Sequence, residues 1–196
     1  MEYTYDVTSV ARSPGVTPSQ TVGPFFHYAL PYDAGPAVAG PSRRGAFTLH
    51  GYVFDGEGNP LPDSLVEIWQ ADEDGRFVTT PGIFEEPSAD GFRGFGRSAT
   101  DADGHYSFTT VLPGAVSTAD GSPQAPHVSM SVFARGMLRR VVTRVYFELD
   151  ESDPLIASVD HERRATLLAT PDGGGYRFDV RLQGADETVF LDVFAR

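Results

Sequence analysis

Apolar and polar positions alternate along this chain in short runs, with breaks at turn-forming residues. AFTLHGYVFD, from Ala46, is followed by the turn GEGNP, and SLVEIWQA by the turn DEDG, which predicts two strands forming a hairpin or an adjacent pair. Period-two alternation places Leu65, Glu67 and Trp69 on one face and Val66, Ile68 and Gln70 on the other, so both faces are expected to be partly covered. A breaker-rich loop is expected from Thr80 to Arg93. After TDADG, HYSFTTVLPG predicts a strand with Tyr106, Phe108 and Thr110 on one face. HVSMSVFAR and RRVVTRVYF are rich in β-branched and aromatic residues and predict neighbouring strands. GGGYRFDVRLQG and ETVFLDVF predict two closing strands.

Helical signals gather only after Asp153-Pro154, through SVDHERRATLLAT, with Ser158 as candidate cap and acidic residues in the first turn. Roughly seven to nine short strands and one short helix point to an all-β, two-sheet β-sandwich. Residues 1–45 read as an N-terminal arm and interface segment, and 46–196 as the sandwich domain. The aromatic knot PFFHYALPY, Pro24 to Tyr32, buries little alone, so Phe25, Phe26 and Tyr28 should pack on the chain's own sandwich or on a partner.

Composition narrows the function classes. With 196 residues, 40% of them hydrophobic, the chain can bury one sizeable core, and its 15 prolines and 21 glycines are spread throughout, as many short turn-linked elements require. A net charge of -12 repels phosphate backbones and anionic membranes, so nucleic acid and membrane partners are not expected. A small anion can still bind where arginines are focused, and Arg135, Arg139, Arg140 and Arg144 form one such run. Cys is absent, which removes disulfides, thiolate metal sites and thiol nucleophiles. The first twenty residues hold no apolar h-region and no stretch reaches membrane-span length, so the protein reads as cytoplasmic.

Individual polar residues carry mostly structural readings. His27, His50, His105 and His161 lie in separate segments without ligand spacing and are assigned no chemistry. The pairs Asp72/Asp74 and Asp101/Asp103 each precede a glycine, which favours turn formation over calcium or acid–base chemistry. Tyr106, Tyr146 and Tyr176 sit in strand patterns as packing residues.

Several phrases taken together resemble the intradiol ring-cleavage dioxygenases, most closely the protocatechuate 3,4-dioxygenases: TPSQTVGPFF, LHGYVFDGEGNPLPDSLVEIWQAD, FGRSATDADGHYSF, APHVSMSVFARGM, TRVYF and YRFDVRLQGADETVFLDV. They follow the family's order and span nearly the whole chain. The resemblance implies a β-sandwich acting on an aromatic diol with dioxygen. In the family's catalytic chains Fe(III) is held by two tyrosinates and two histidines placed two apart on a strand. Here His127 takes the first histidine position, Ser129 the second, Phe77 the first tyrosine's, and no tyrosine lies near Val116 for the other.

One imidazole does not hold a hard trivalent cation that favours anionic oxygen donors. The resemblance therefore implies an iron-free, alpha-type chain whose homologous catalytic beta subunit carries the Fe(III), in a higher oligomer of alpha–beta protomers with protocatechuate and O2 at a shared site. Carried over by position, Thr21, Gly23 and Pro24 would line the substrate side and Arg135 would lie near it, as a partner for the substrate carboxylate or as an interface ion pair. A self-sufficient enzyme with unusual ligands and a non-enzymatic, transthyretin-like binding module remain as alternatives.

Overall fold

The computed structural model describes residues 20, 21, 23, 26–78, 85–118 and 121–193. After a single helical turn, α1 (Phe26–Ala29), the described residues build eleven strands: β1 (Phe47–Phe54), β2 (Leu65–Trp69), β3 (Phe95–Ala99), β4 (His105–Thr110), β5 (Val116–Ser117), β6 (Pro123–Gln124), β7 (His127–Phe133), β8 (Val141–Tyr146), β9 (Thr170–Asp172), β10 (Gly175–Arg177) and β11 (Val180–Arg181). A helix, α2 (Pro154–Ser158), and a 3₁₀ segment, His161–Leu167, lie between β8 and β9.

Two sheets face each other, as the alternation predicts. In the first, β1 is central: β4 runs antiparallel along one edge, and β10 then β11 run parallel along the other, with β9 outside β10. The second is antiparallel in the order β3-β2-β7-β8. Leu49, Val53, Tyr106 and Phe108 from the first meet Val66, Ile68, Val128, Met130, Val132 and Val145 from the second, all essentially fully buried. Burial of each such aliphatic side chain contributes about 1.5–3 kcal/mol.

Within the first sheet the backbone packs closely where side chains permit it. Gly51 sits under the Phe178 carbonyl, and a Cβ there would lie 1.8 Å from that oxygen. The Tyr106 phenol donates to the same carbonyl at 2.5 Å. Buried Gln70 is fully engaged, accepting from the Thr110 hydroxyl at 2.6 Å and donating to the Val111 and Ala71 carbonyls, so its polar head adds no unpaired group to the core.

Four expectations change. β1 and β2 do not pair but lie in different sheets: both edges of β1 are occupied, and Pro60 and Pro62 in the connection lack the N–H donors a ladder needs. β3 falls in a stretch without strand signals, because Gly96 must make room for Val38 and Phe108, whose atoms would lie 2.5 and 2.9 Å from a Cβ. ETVFLDVF, as far as Val193, forms no strand. It bonds to both sheets instead, through Thr188 N–H to the Arg181 carbonyl and Leu191 N–H to the Val142 carbonyl. Ser158 ends α2 rather than capping it. The N-cap is Asp153, whose carboxylate accepts from the Leu155 and Ile156 N–H groups.

The segment from Ala34 to Ala39 closes one edge of the sandwich. Thr109 N–H donates to the Pro36 carbonyl and Arg97 N–H to the Gly35 carbonyl, linking β4 and β3 through this stretch, with Val38 and Ala39 fully buried. Buried Arg93 clamps it, donating to the carbonyls of Ala34, Gly35, Glu85 and Phe95. Phe26 is buried and Tyr28 is exposed, whereas Phe25 lies outside the described residues. The Asp72 and Asp101 carboxylates each accept two backbone N–H groups of their own turns, as expected.

Candidate functional site

The four positions singled out as metal-ligand sites come together at one end of the second sheet. Strand alternation puts His127 and Ser129 on the outward face of β7, since Val128, Met130 and Val132 point into the core. Trp69 of β2 sits opposite Ser129, and Phe77 stacks on Trp69 with centroids 6.2 Å apart. The turn before Phe77 is locked to the loop before Val116: Gly114 N–H donates to the Asp72 carbonyl at 2.7 Å, and Gly75, at φ +77°, has the Ala115 carbonyl 2.2 Å from where a Cβ would be. Val116 then pairs with Gln124, three residues before His127.

The geometry of convergence is present without the donors. Phe77 presents a hydrocarbon ring, Val116 an aliphatic side chain and Ser129 a neutral hydroxyl. His127 is buried, its Nδ1 is 2.8 Å from the Ala125 carbonyl, and its ring packs on Tyr146. Burial holds its pKa below the ordinary imidazole value, and the nearby Arg144 guanidinium acts in the same direction against the Ala125 bond and Asp153.

A self-satisfied polar network occupies the adjoining positions. Arg144, opposite Ser129, donates to the Tyr146 hydroxyl at 3.3 Å, and that hydroxyl donates to Asp153 at 3.3 Å. Asp153, fully buried, also accepts from Ala125 N–H at 2.9 Å and lies 3.9 Å from the Arg144 guanidinium. Burial is the main cause pushing the Tyr146 pKa up to about 12, so this phenol stays protonated. One imidazole, a serine, a phenylalanine and a valine supply none of the anionic oxygen donors that a ferric ion favours. Among the described residues no group of three or more His, Asp or Glu side chains could hold a metal ion. Sequence reasoning passed over this network, although Arg144 and Tyr146 alternate on β8 in register with Ser129 and His127.

A cleft of about 480 Å³ opens beside this end of the sheet, between Leu112, Ala125, Phe147 and Tyr176. Its rim carries Glu148, Asp150 and Glu151, which disfavours a carboxylated ligand.

The residues expected to face a substrate lie at the other end of β7. The Thr21 hydroxyl accepts from Gly136 N–H at 3.1 Å, which brings the N-terminal segment against the turn holding Arg135. Among the described residues no atom comes within 4 Å of a Cβ built on Gly23. Pro24 lies outside the described residues. The Arg135 side chain is 66% exposed, with its Nε 3.1 Å from Asp63. Arg139 and Arg140 are exposed near the same turn, whereas Arg144 is committed to the buried network.

Residues 23–184 match the family model described as Dioxygenase. The chain is 42% identical over 198 residues to the protocatechuate 3,4-dioxygenase alpha chain of Burkholderia cepacia, covering 90% of this chain and 97% of that one. It is 36% identical over 152 residues to the beta chain of the same enzyme and organism, covering 70% of this chain and 64% of that one. The crystal structure of catechol 1,2-dioxygenase from Pseudomonas arvilla C-1 superposes with a TM-score of 0.56 at 23% identity, over 82% of this chain and 58% of that one. That likeness concerns the fold.

Proposed function

This chain belongs to the intradiol dioxygenase family, and we propose that within it the chain serves as the iron-free alpha-type subunit of a protocatechuate 3,4-dioxygenase. The observation that carries the reading is the donor set: the positions converge, but one neutral imidazole is all they offer as a ligand. The Fe(III) then sits on a homologous beta subunit, where it supplies the redox chemistry by which both atoms of O2 enter the ring between the two hydroxyl-bearing carbons, giving 3-carboxy-cis,cis-muconate. The assembly is a cytoplasmic oligomer of alpha–beta protomers.

What this chain contributes is shape and charge at the shared site. Thr21 and Gly23, with Pro24 carried over by sequence position alone, are assigned to the substrate side, and the bond between Thr21 and Gly136 anchors Thr21. Gly23, uncrowded by the described residues, leaves room for a planar ring to approach. Arg135 supplies the positive charge that an anionic substrate needs near a chain of net charge -12. A self-sufficient enzyme is disfavoured by the missing ligands, and a non-enzymatic binding module by close likeness to an enzyme subunit over 90% of the chain.

The test is co-expression with a homologous subunit bearing two tyrosines and a His-x-His pair. The expected result is one co-purifying complex that cleaves protocatechuate, with Arg135→Ala raising KM for the carboxylated substrate at normal iron content. A chain that stays a monomer beside that subunit contradicts the proposal.

A further inference from the structure

Two histidines that lie 55 residues apart in sequence meet on the outer face of the first sheet. His50 of β1 pairs with Ser107 and His105 of β4 with Tyr52, so the two are diagonal neighbours across the antiparallel ladder. His50 Nδ1 and His105 Nε2 are 3.3 Å apart. The far side of each ring faces a carboxylate: His50 Nε2 is 3.2 Å from Asp172 Oδ2, and His105 Nδ1 is 3.8 Å from Asp101 Oδ2.

This arrangement has a chemical consequence. A carboxylate only accepts, so Asp172 draws the His50 N–H to Nε2 and leaves Nδ1 as a lone pair, whereas Asp101, at 3.8 Å, is beyond hydrogen-bond range and does not fix the His105 tautomer. The His50 Nδ1 lone pair faces His105 Nε2 at 3.3 Å, where it accepts that ring's N–H, or where both nitrogens turn their lone pairs on a metal ion in place of that proton. Two imidazole nitrogens at zinc-bond length and the tetrahedral angle are separated by about 3.3–3.4 Å, which matches the observed spacing. Ligating histidines commonly donate their other N–H to a carboxylate, the relationship that His50 has with Asp172 here.

We propose that His50 and His105 form a two-imidazole site for a divalent transition-metal ion of the zinc class, with Asp172 as a positioning residue and Asp101 as a nearby negative charge. The nearest cation, Arg177, is bound to Asp179 at 3.0 and 2.8 Å and lies over the Tyr52 ring, so it is already neutralised. The three aspartates outweigh that single arginine, and the net charge of the whole chain also favours a cation. Among the described residues no third His, Asp or Glu completes a cage, so water fills the remaining positions. His50 and Asp172 also line a cleft of about 440 Å³ with Thr48 and Gly174, through which the ion can enter. The site lies on the sheet opposite the vestigial ligand positions, and its existence does not depend on the proposed subunit role.

The experiment is equilibrium dialysis of the full chain, in the assembly in which it purifies, against zinc chloride after chelator treatment. The expected result is one zinc per chain beyond any iron-site metal, lost in both His50→Gln and His105→Gln. Asp172→Asn keeps the stoichiometry but weakens binding about tenfold to a hundredfold. Unchanged thermal midpoints in zinc-free buffer separate lost binding from lost fold. If a variant misfolds, nitrogen-15 NMR of the labelled wild-type chain decides: zinc should shift His50 Nδ1 and His105 Nε2 together. Equal zinc uptake by wild type and variants, or no shift at these two nitrogens, overturns the proposal and leaves an N–H···N hydrogen bond between the two rings.

Discussion

Phe77 stacks on Trp69, with ring centroids 6.2 Å apart and planes 7° from parallel, at the position to which the family resemblance assigns a ligating tyrosine. The ring is half exposed and held by an apolar contact, so a hydroxyl can be added without crowding. Phe77→Tyr is expected to fold normally and, after exposure to ferric salt, to show no tyrosinate-to-iron absorption in the visible, because a phenolate and one imidazole are too few donors for Fe(III). A purple-brown Phe77→Tyr chain would show that more ligands survive than the geometry allows.

The network around Asp153 is expected to be structural. Its carboxylate caps α2, accepts from Ala125 N–H and the Tyr146 phenol, and lies within ion-pair range of Arg144. Asp153→Ala leaves a cation, the Ala125 N–H, the Tyr146 phenol and the two capped N–H groups of α2 without their acceptor, at a cost of about 3–5 kcal/mol in urea unfolding. A loss under about 1 kcal/mol, typical of a surface substitution, contradicts this role.

Thr21 and Arg135 behave differently on this account. Both are exposed, and the Arg135–Asp63 pair contributes about 0–1 kcal/mol, so Thr21→Ala and Arg135→Ala should scarcely move the unfolding midpoint of the chain. Their effect belongs in the complex, as a higher KM for protocatechuate. A large stability loss with unchanged kinetics makes them ordinary anchors.

His127 predicts an acid-side dependence of stability. Its folded pKa lies below the ordinary value of 6.5, so the unfolded chain takes up the proton first as pH falls. The contribution is therefore fully present above about pH 6.5 and is lost as pH drops toward the folded pKa. His127→Gln should flatten the slope of unfolding free energy between about pH 7.5 and 5.5, and an unchanged slope removes His127 as its source.

Most strands are legible because their cores alternate cleanly: β1, β2, β4, β7 and β8 fall within the predicted runs, with Tyr106, Phe108 and Thr110 facing inward together. Sequence reasoning misplaces elements where tertiary demands override local preference. Gly96 weakens the strand signal of β3 because a neighbouring ring needs its space, and residues after Glu187 divide their hydrogen bonds between two sheets. The deficit of donors is legible only through the family resemblance, which assigns the ligand positions to Phe77, Val116, His127 and Ser129. The His50–His105 pair is not, because diagonal neighbours across a ladder leave no spacing signature in one dimension.

The central claim is that this chain holds no ferric ion of its own, and metal analysis of the purified chain alone tests it most directly. Far less than one iron per chain, a colourless solution and no protocatechuate cleavage are predicted, with iron and activity appearing in proportion to added beta-type subunit. Stoichiometric iron in the isolated chain, with visible charge-transfer absorption and ring-opening activity, would contradict it.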